Sequence, residues 1–128
     1  MGMTFGFGKS YIINKPRVVS IVYNAAIGPH VNWKMNYDAD HIWGGKTKGA
    51  YFGASLKALE ELGKELGYSL VGTNLTGVNV FFVREDLVTE DLFLAPFASE
   101  NHFNKPLYFM EHSVGHMRNH EVINSTFI

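Results

Sequence analysis

Cysteine is absent from the 128 residues. Its absence excludes disulfides, thiolate metal sites and cysteine nucleophiles together, and it fits a reducing, cytoplasmic setting. Neither sign of charge prevails: 11 basic and 12 acidic side chains give a formal net charge of -1. The basic residues are scattered along the chain, so no electrostatic case arises for nucleic acid or an anionic membrane. No apolar run approaches the roughly 20 residues that span a bilayer. The opening MGMTFGFG lacks the basic region and apolar core of a signal peptide. With 4 prolines and no repeat, low-complexity tract or linker, nothing divides the chain, and residues 1–128 read as a single domain.

What is present is apolar and aromatic. Hydrophobic residues make up 46% and charged residues 18%, enough for a real core without metals or disulfides. Phe (10) and Tyr (6) supply more large apolar surface than a domain of this size easily hides. Part of that surface is expected to cover a partner.

The segment Arg17 to Tyr23 (RVVSIVY) is a nearly continuous β-branched run opened by Pro16. Such a run predicts a strand buried on both faces, as in a parallel sheet. A long polar and aromatic connection follows, rich in turn chemistry such as Gly28-Pro29 and Gly44-Gly45. Gly53 to Leu66 is the best helix: Leu56, Leu59, Leu62 and Leu66 form one apolar stripe with Ala58 and Gly63. Charges occupy its other face, with Lys57–Glu61 and Glu60–Lys64 at i,i+4 spacing. Ser55 suits its N-cap or its first turn, and Gly67 is the expected stop. Tyr68 to Thr73 and Val78 to Arg84 read as strands joined by Asn74-Leu75-Thr76-Gly77, a connection that favours an antiparallel hairpin. Asp86 to Leu92 reads as a short helix. The order β-α-β-β implies a right-handed crossover with parallel pairing of the first two strands.

The runs KPRVVSIVYNAAIGP (15–29) and YFGASLKALEELGKELGYSLVGTNLTGVNVFFVRED (51–86) resemble the C-terminal part of class I S-adenosylmethionine-dependent methyltransferase domains of an FkbM-related group. The resemblance covers roughly residues 15–90. It implies an α/β fold: a partial Rossmann-like methyltransferase half-fold (β-α-β-β, three-stranded mixed sheet), with residues 91–128 as an irregular aromatic and His-rich tail. The three strands would be the fifth, sixth and seventh of the family's sheet, ordered fifth, seventh, sixth. Val22 stands where that family carries an acidic residue before the Tyr-Asn pair. The family's cofactor machinery lies upstream, in a Gly-rich turn and a ribose-binding carboxylate that have no counterpart here. The resemblance therefore implies a truncated methyltransferase-like domain without catalytic activity alone. It needs no cofactor unless a second chain supplies the N-terminal half, in which case S-adenosylmethionine would bind. The alternative is a homo-oligomeric binding or assembly module, with the Arg17–Tyr23 edge left bare by the missing neighbour strand and the Phe-rich tail as a possible second layer.

Ligands of open α/β sheets bind beyond the carboxyl ends of strands. An ancestral substrate pocket would on that ground gather Tyr23, Asn24, His30, Tyr37 and Tyr51, with Asn32 beside them. The simpler reading makes Asn24 a turn cap and the aromatics loop packing. His112, His116 and His120 recur every fourth residue, a spacing that can hold zinc on a helix, but Gly115 interrupts them and no HExxH pattern exists. Asp38, Asp40 and His41 lack the spacing of a calcium loop. No metal site is expected.

Overall fold

The computed structural model describes residues 14–36 and 53–107. Its elements are β1 (Val18–Val22), α1 (Leu56–Glu65), β2 (Tyr68–Thr73), β3 (Asn79–Arg84), a 3-10 turn (Glu85–Leu87) and a single helical turn, α2 (Ser99–His102). The protein is thus mixed α/β. Helix α1 is shorter than the expected Gly53–Leu66: it opens at Leu56, because the Ser55 side chain accepts from the Ala58 N–H at 3.2 Å and caps it there. Gly67 then ends it at φ 85, a left-handed conformation that glycine adopts without steric cost.

The three strands form one sheet in the order β1-β3-β2. That is the order the resemblance implies, but the pairing is not the mixed one expected. Both neighbour pairs are antiparallel, and β1 and β2, though they run the same way, never touch as a parallel pair. The reason lies in the turn at 74–77. Asn74 Oδ1 accepts from the Val78 and Asn79 N–H groups at 3.0 and 2.9 Å. Gly77 supplies φ 70. Such a tight turn sends β3 back antiparallel to β2, and β3 then lies between its two neighbours.

Helix α1 covers one face of this sheet. Its Leu56 and Leu59 pack with Val19, Tyr23, Tyr68, Leu70, Val80 and Phe82 in a single core. Burial of a Leu-sized side chain contributes roughly 1.5–3 kcal/mol, so this face holds the fold. The approach is close: a Cβ on Gly63 would lie 2.6 Å from the Phe82 ring. Glycine is what lets helix and strand meet there.

The other face corrects the expectation for β1. Val19 is buried, but Val18 is 59% and Val22 43% exposed, and Ser20 between them is exposed as well. A β-branched run fits a strand of either kind, and only the presence of a second layer would separate them. The helix expected over 86–92 is also shorter, reduced to the 3-10 turn Glu85–Leu87, and Leu87 and Leu92, which would have anchored it, are 37% and 74% exposed. The described part of the tail lies against α1, the end of β2 and the hairpin turn. Among the described residues no helix is long and apolar enough to cross a membrane.

Candidate functional site

Tyr23 and Asn24 end β1, and both are fully buried. The Tyr23 hydroxyl donates to the backbone carbonyl of Asn104. Thr73 donates from its hydroxyl to the carbonyl of His102, and Asn104 Nδ2 donates to Thr73 Oγ1 at 2.9 Å. The Phe103 ring meets Tyr23 edge to face, with centroids 6.2 Å apart. Residues 102–104 therefore strap the carboxyl ends of β1 and β2. Burial pushes the Tyr23 phenol above its ordinary pKa, against the opposing hydrogen bonds to Thr73 and Asn104. A phenol so placed stays protonated at neutral pH and acts as a donor, not as a base.

Asn24 has the role the simpler reading gave it. Its Oδ1 accepts from the Ala26 N–H at 3.1 Å. Its carbonyl accepts from Ile27 at 3.2 Å, and its own N–H donates to the Ala54 carbonyl at 2.9 Å. These bonds close a turn through residues 24–27 whose side chains are all buried. His30 stands apart, 77% exposed, with Nδ1 3.4 Å from Glu100. Asn32 donates to Glu61 on the surface of α1. Tyr37 and Tyr51 lie outside the described residues, as do Asp38, Asp40, His41, His112, His116 and His120. The structure thus brings Tyr23 and Asn24 together but not as an open pocket, and His30 is not part of their cluster.

A second cluster escaped the sequence reading. Glu60, on the supposedly solvated face of α1, is 2% exposed. It accepts from Lys57 at 3.3 Å, from Lys64 at 3.2 Å and from the backbone N–H of Ser99. The Ser99 hydroxyl donates to the Pro29 carbonyl at 2.7 Å. Lys57 reaches Glu100 at 3.0 Å instead of the expected Glu61. Burial pushes the Glu60 carboxyl up, but the bonds from Ser99, Lys64 and Lys57 outweigh it and hold the pKa below the usual range. Glu100 is pushed down to about 2 by its own backbone N–H and by Lys57. The Glu60–Lys64 spacing was visible in the sequence; the Ser99 partner, 39 residues on, left no local signal. Among the described residues no group of three His, Asp or Glu could hold a metal ion.

Comparison with protein-family models, curated proteins and solved structures finds no match.

The described residues at the end of β1 do not fit S-adenosylmethionine. In the turn after β1 the Asn24, Ala26 and Ile27 N–H groups are bonded within the chain, and Tyr23 and Asn24 are fully buried. Among the described residues, what remains unpaired is the outer edge of β1. Tyr23 N–H donates to Val78 and Arg84 N–H to the Arg17 carbonyl, so Arg17, Val19, Ile21 and Tyr23 face β3. By the alternation of an antiparallel ladder, Val18, Ser20 and Val22 turn their N–H and C=O groups away from the sheet. Beside this edge, under α1, Val19, Ile21, Leu59, Leu62, Leu66 and Phe82 line an apolar crevice of about 30 Å³.

Proposed function

We propose that this chain is an assembly module without catalytic activity alone, built on a truncated methyltransferase-like half-fold and homo-oligomeric through the bare edge of β1. The observation that carries the reading is the closure of the strand ends: the Asn104 carbonyl and the Phe103 ring occupy the place beyond Tyr23 where an open α/β sheet would take a ligand. The chain's own strap fills that place, while the β1 edge keeps its hydrogen-bonding groups outward. Titration calorimetry of the purified chain with S-adenosylmethionine tests the reading. The expected result is no heat of binding. A dissociation constant tighter than about 10 μM, or roughly −7 kcal/mol, overturns it.

A second reading rests on the same edge. In the family that the sequence resembles, the strand beside β1 belongs to the upstream half, so a separate chain carrying that half would dock there and complete an S-adenosylmethionine site. A neighbouring reading frame encoding a Gly-rich turn would favour it, and methyl transfer on mixing the two purified chains would establish it.

A further inference from the structure

We infer that the partner on the β1 edge is a second copy of this chain, its β1 running antiparallel about a twofold axis through Ser20. This inference rests on the assembly reading above and names its occupant.

The strand is chemically palindromic about that residue. Val18 mirrors Val22, Val19 mirrors Ile21, and Ser20 maps on itself. The outward-facing set, Val18, Ser20 and Val22, is centred on the same residue. An antiparallel copy in this register sets Ser20 opposite Ser20 and Val18 opposite Val22. Every outward N–H then meets an outward C=O in a hydrogen-bonded pair. The two exposed valines, at 59% and 43%, meet across the axis on one face. On the other face Val19 meets Ile21 across the axis. Self-complementarity of this kind is what a twofold interface requires.

Both ends of the edge limit the pairing to this stretch. Beyond Val22, the Asn24 N–H is already taken by the Ala54 carbonyl. The residue that the twofold brings opposite Asn24 is Pro16, which has no N–H to offer. Pro16 is drawn off the edge: its carbonyl accepts from the Tyr68 hydroxyl at 2.7 Å, and the Lys15 carbonyl accepts from Arg84 at 2.8 Å. The chain at Lys15 and Pro16 therefore bends toward β2 and β3, and among the described residues none pairs with the outer edge of Val18–Val22. A strand this short falls below the roughly 1,000 Å² that stable interfaces bury. The dimer is therefore expected to be weak and concentration-dependent.

The full chain lacks cysteine, so a Ser20→Cys variant carries a single thiol. Facing residues of a hydrogen-bonded antiparallel pair have Cα atoms about 5.5 Å apart, within the span a disulfide bridges. Under mild oxidation Ser20→Cys is expected to give a covalent dimer, while Leu75→Cys, on the 78% exposed hairpin turn, stays monomeric at the same concentration. Ser20→Pro removes an outward N–H that the β1–β3 ladder does not use, as an edge strand tolerates. It should weaken the dimer at least about tenfold by sedimentation equilibrium, and Val22→Lys should do the same if the proline variant does not fold. A wild-type chain that stays at 14.4 kDa at about 100 μM, with no cross-link at position 20, overturns the inference. So does a dimer that survives both edge variants. Titration of the same samples with S-adenosylmethionine separates the two claims: an oligomer that survives both edge variants and binds none defeats only the twofold pairing, whereas a monomer, or binding, defeats the assembly reading as well.

Discussion

The carboxylate of Glu60, in the middle of α1, accepts the backbone N–H of Ser99 at the start of α2. It is the joint between helix and tail. Through it the buried acid holds Lys57 and Lys64 on one side and the chain at Ser99 on the other, and Ser99 in turn holds Pro29. Removal of one partner from a buried hydrogen bond leaves the others unsatisfied, at a cost of about 1–3 kcal/mol. Glu60→Ala is therefore expected to lower the unfolding free energy by about that amount in urea titrations, and Glu60→Gln by less, since it keeps one acceptor. Glu61→Ala, at an exposed neighbour, should stay within about 0.5 kcal/mol of the parent. Equal losses at both positions would refute the joint.

The same cluster predicts a response to acid. Glu60 and Glu100 both have folded-state pKa values below their ordinary one, Glu100 at about 2. A depressed carboxylate binds protons less readily folded than unfolded. Its stabilisation is therefore complete above the ordinary value of 4.5 and is lost as pH falls through the folded pKa, here toward about 2. Urea midpoints should be flat with respect to these two groups at neutral pH and fall below pH 4.5, the ordinary glutamate value. Lys57→Met removes a cation that both acids share, so the acid slope should become shallower in that variant. An unchanged slope would argue against the pairing.

Local chemistry was legible in the sequence, and long-range pairing was not. Ser55 as cap, Gly67 as stop and Asn74-Gly77 as hairpin turn all act within a few residues, and each stands where its chemistry indicated. The apolar stripe of α1 was equally plain. The run Val18–Val22 could not reveal that Val18 and Val22 stay exposed on one face, because β-branched residues suit buried and half-exposed strands alike. Nor could a charged residue on the polar side of a helix announce its burial: Glu60 is covered by Ser99 and its neighbours, in a segment with no periodic pattern. At the candidate site Tyr23 was found for its position at the strand end. Its partners Thr73 and Asn104 were missed, since a hydroxyl–carbonyl contact across 81 residues has no signature in the chain.

The contact of Gly63 with Phe82 sets helix propensity against packing. Alanine is favoured over glycine within a helix by about 1 kcal/mol. A Cβ at Gly63, however, would lie 2.6 Å from Phe82 Cε1, and that ring is 2% exposed, so it would have to shift within the core. Overpacking of this kind typically costs about 1–3 kcal/mol, so packing wins. Gly63→Ala should lower the thermal midpoint, and pairing it with Phe82→Leu should recover part of what Gly63→Ala alone loses. A more stable Gly63→Ala protein would show that the helix is not held so close.

Gly77 offers a way to detach the strap without unfolding the sheet. Its φ is 70, and a Cβ there would meet the Asn104 carbonyl oxygen at 2.7 Å and the Lys105 carbonyl carbon at 2.7 Å. Both atoms are backbone, so relief requires the strap itself to move. Alanine at a left-handed position adds about 1–2 kcal/mol of strain. Gly77→Ala should therefore weaken the hold of Asn104 on Tyr23 and Thr73, while the α1–sheet core, which does not include the turn, remains folded. Hydrogen exchange gives the readout: amides of 99–104 should exchange faster, with those of Leu59 and Phe82 unchanged. Gly72→Ala is the control, because a Cβ at that position meets nothing within 4 Å. If both variants exchanged like the parent, the strap would not depend on the Gly77 contact. If Gly77→Ala instead exposed the core amides as well, strap and sheet would unfold as one unit.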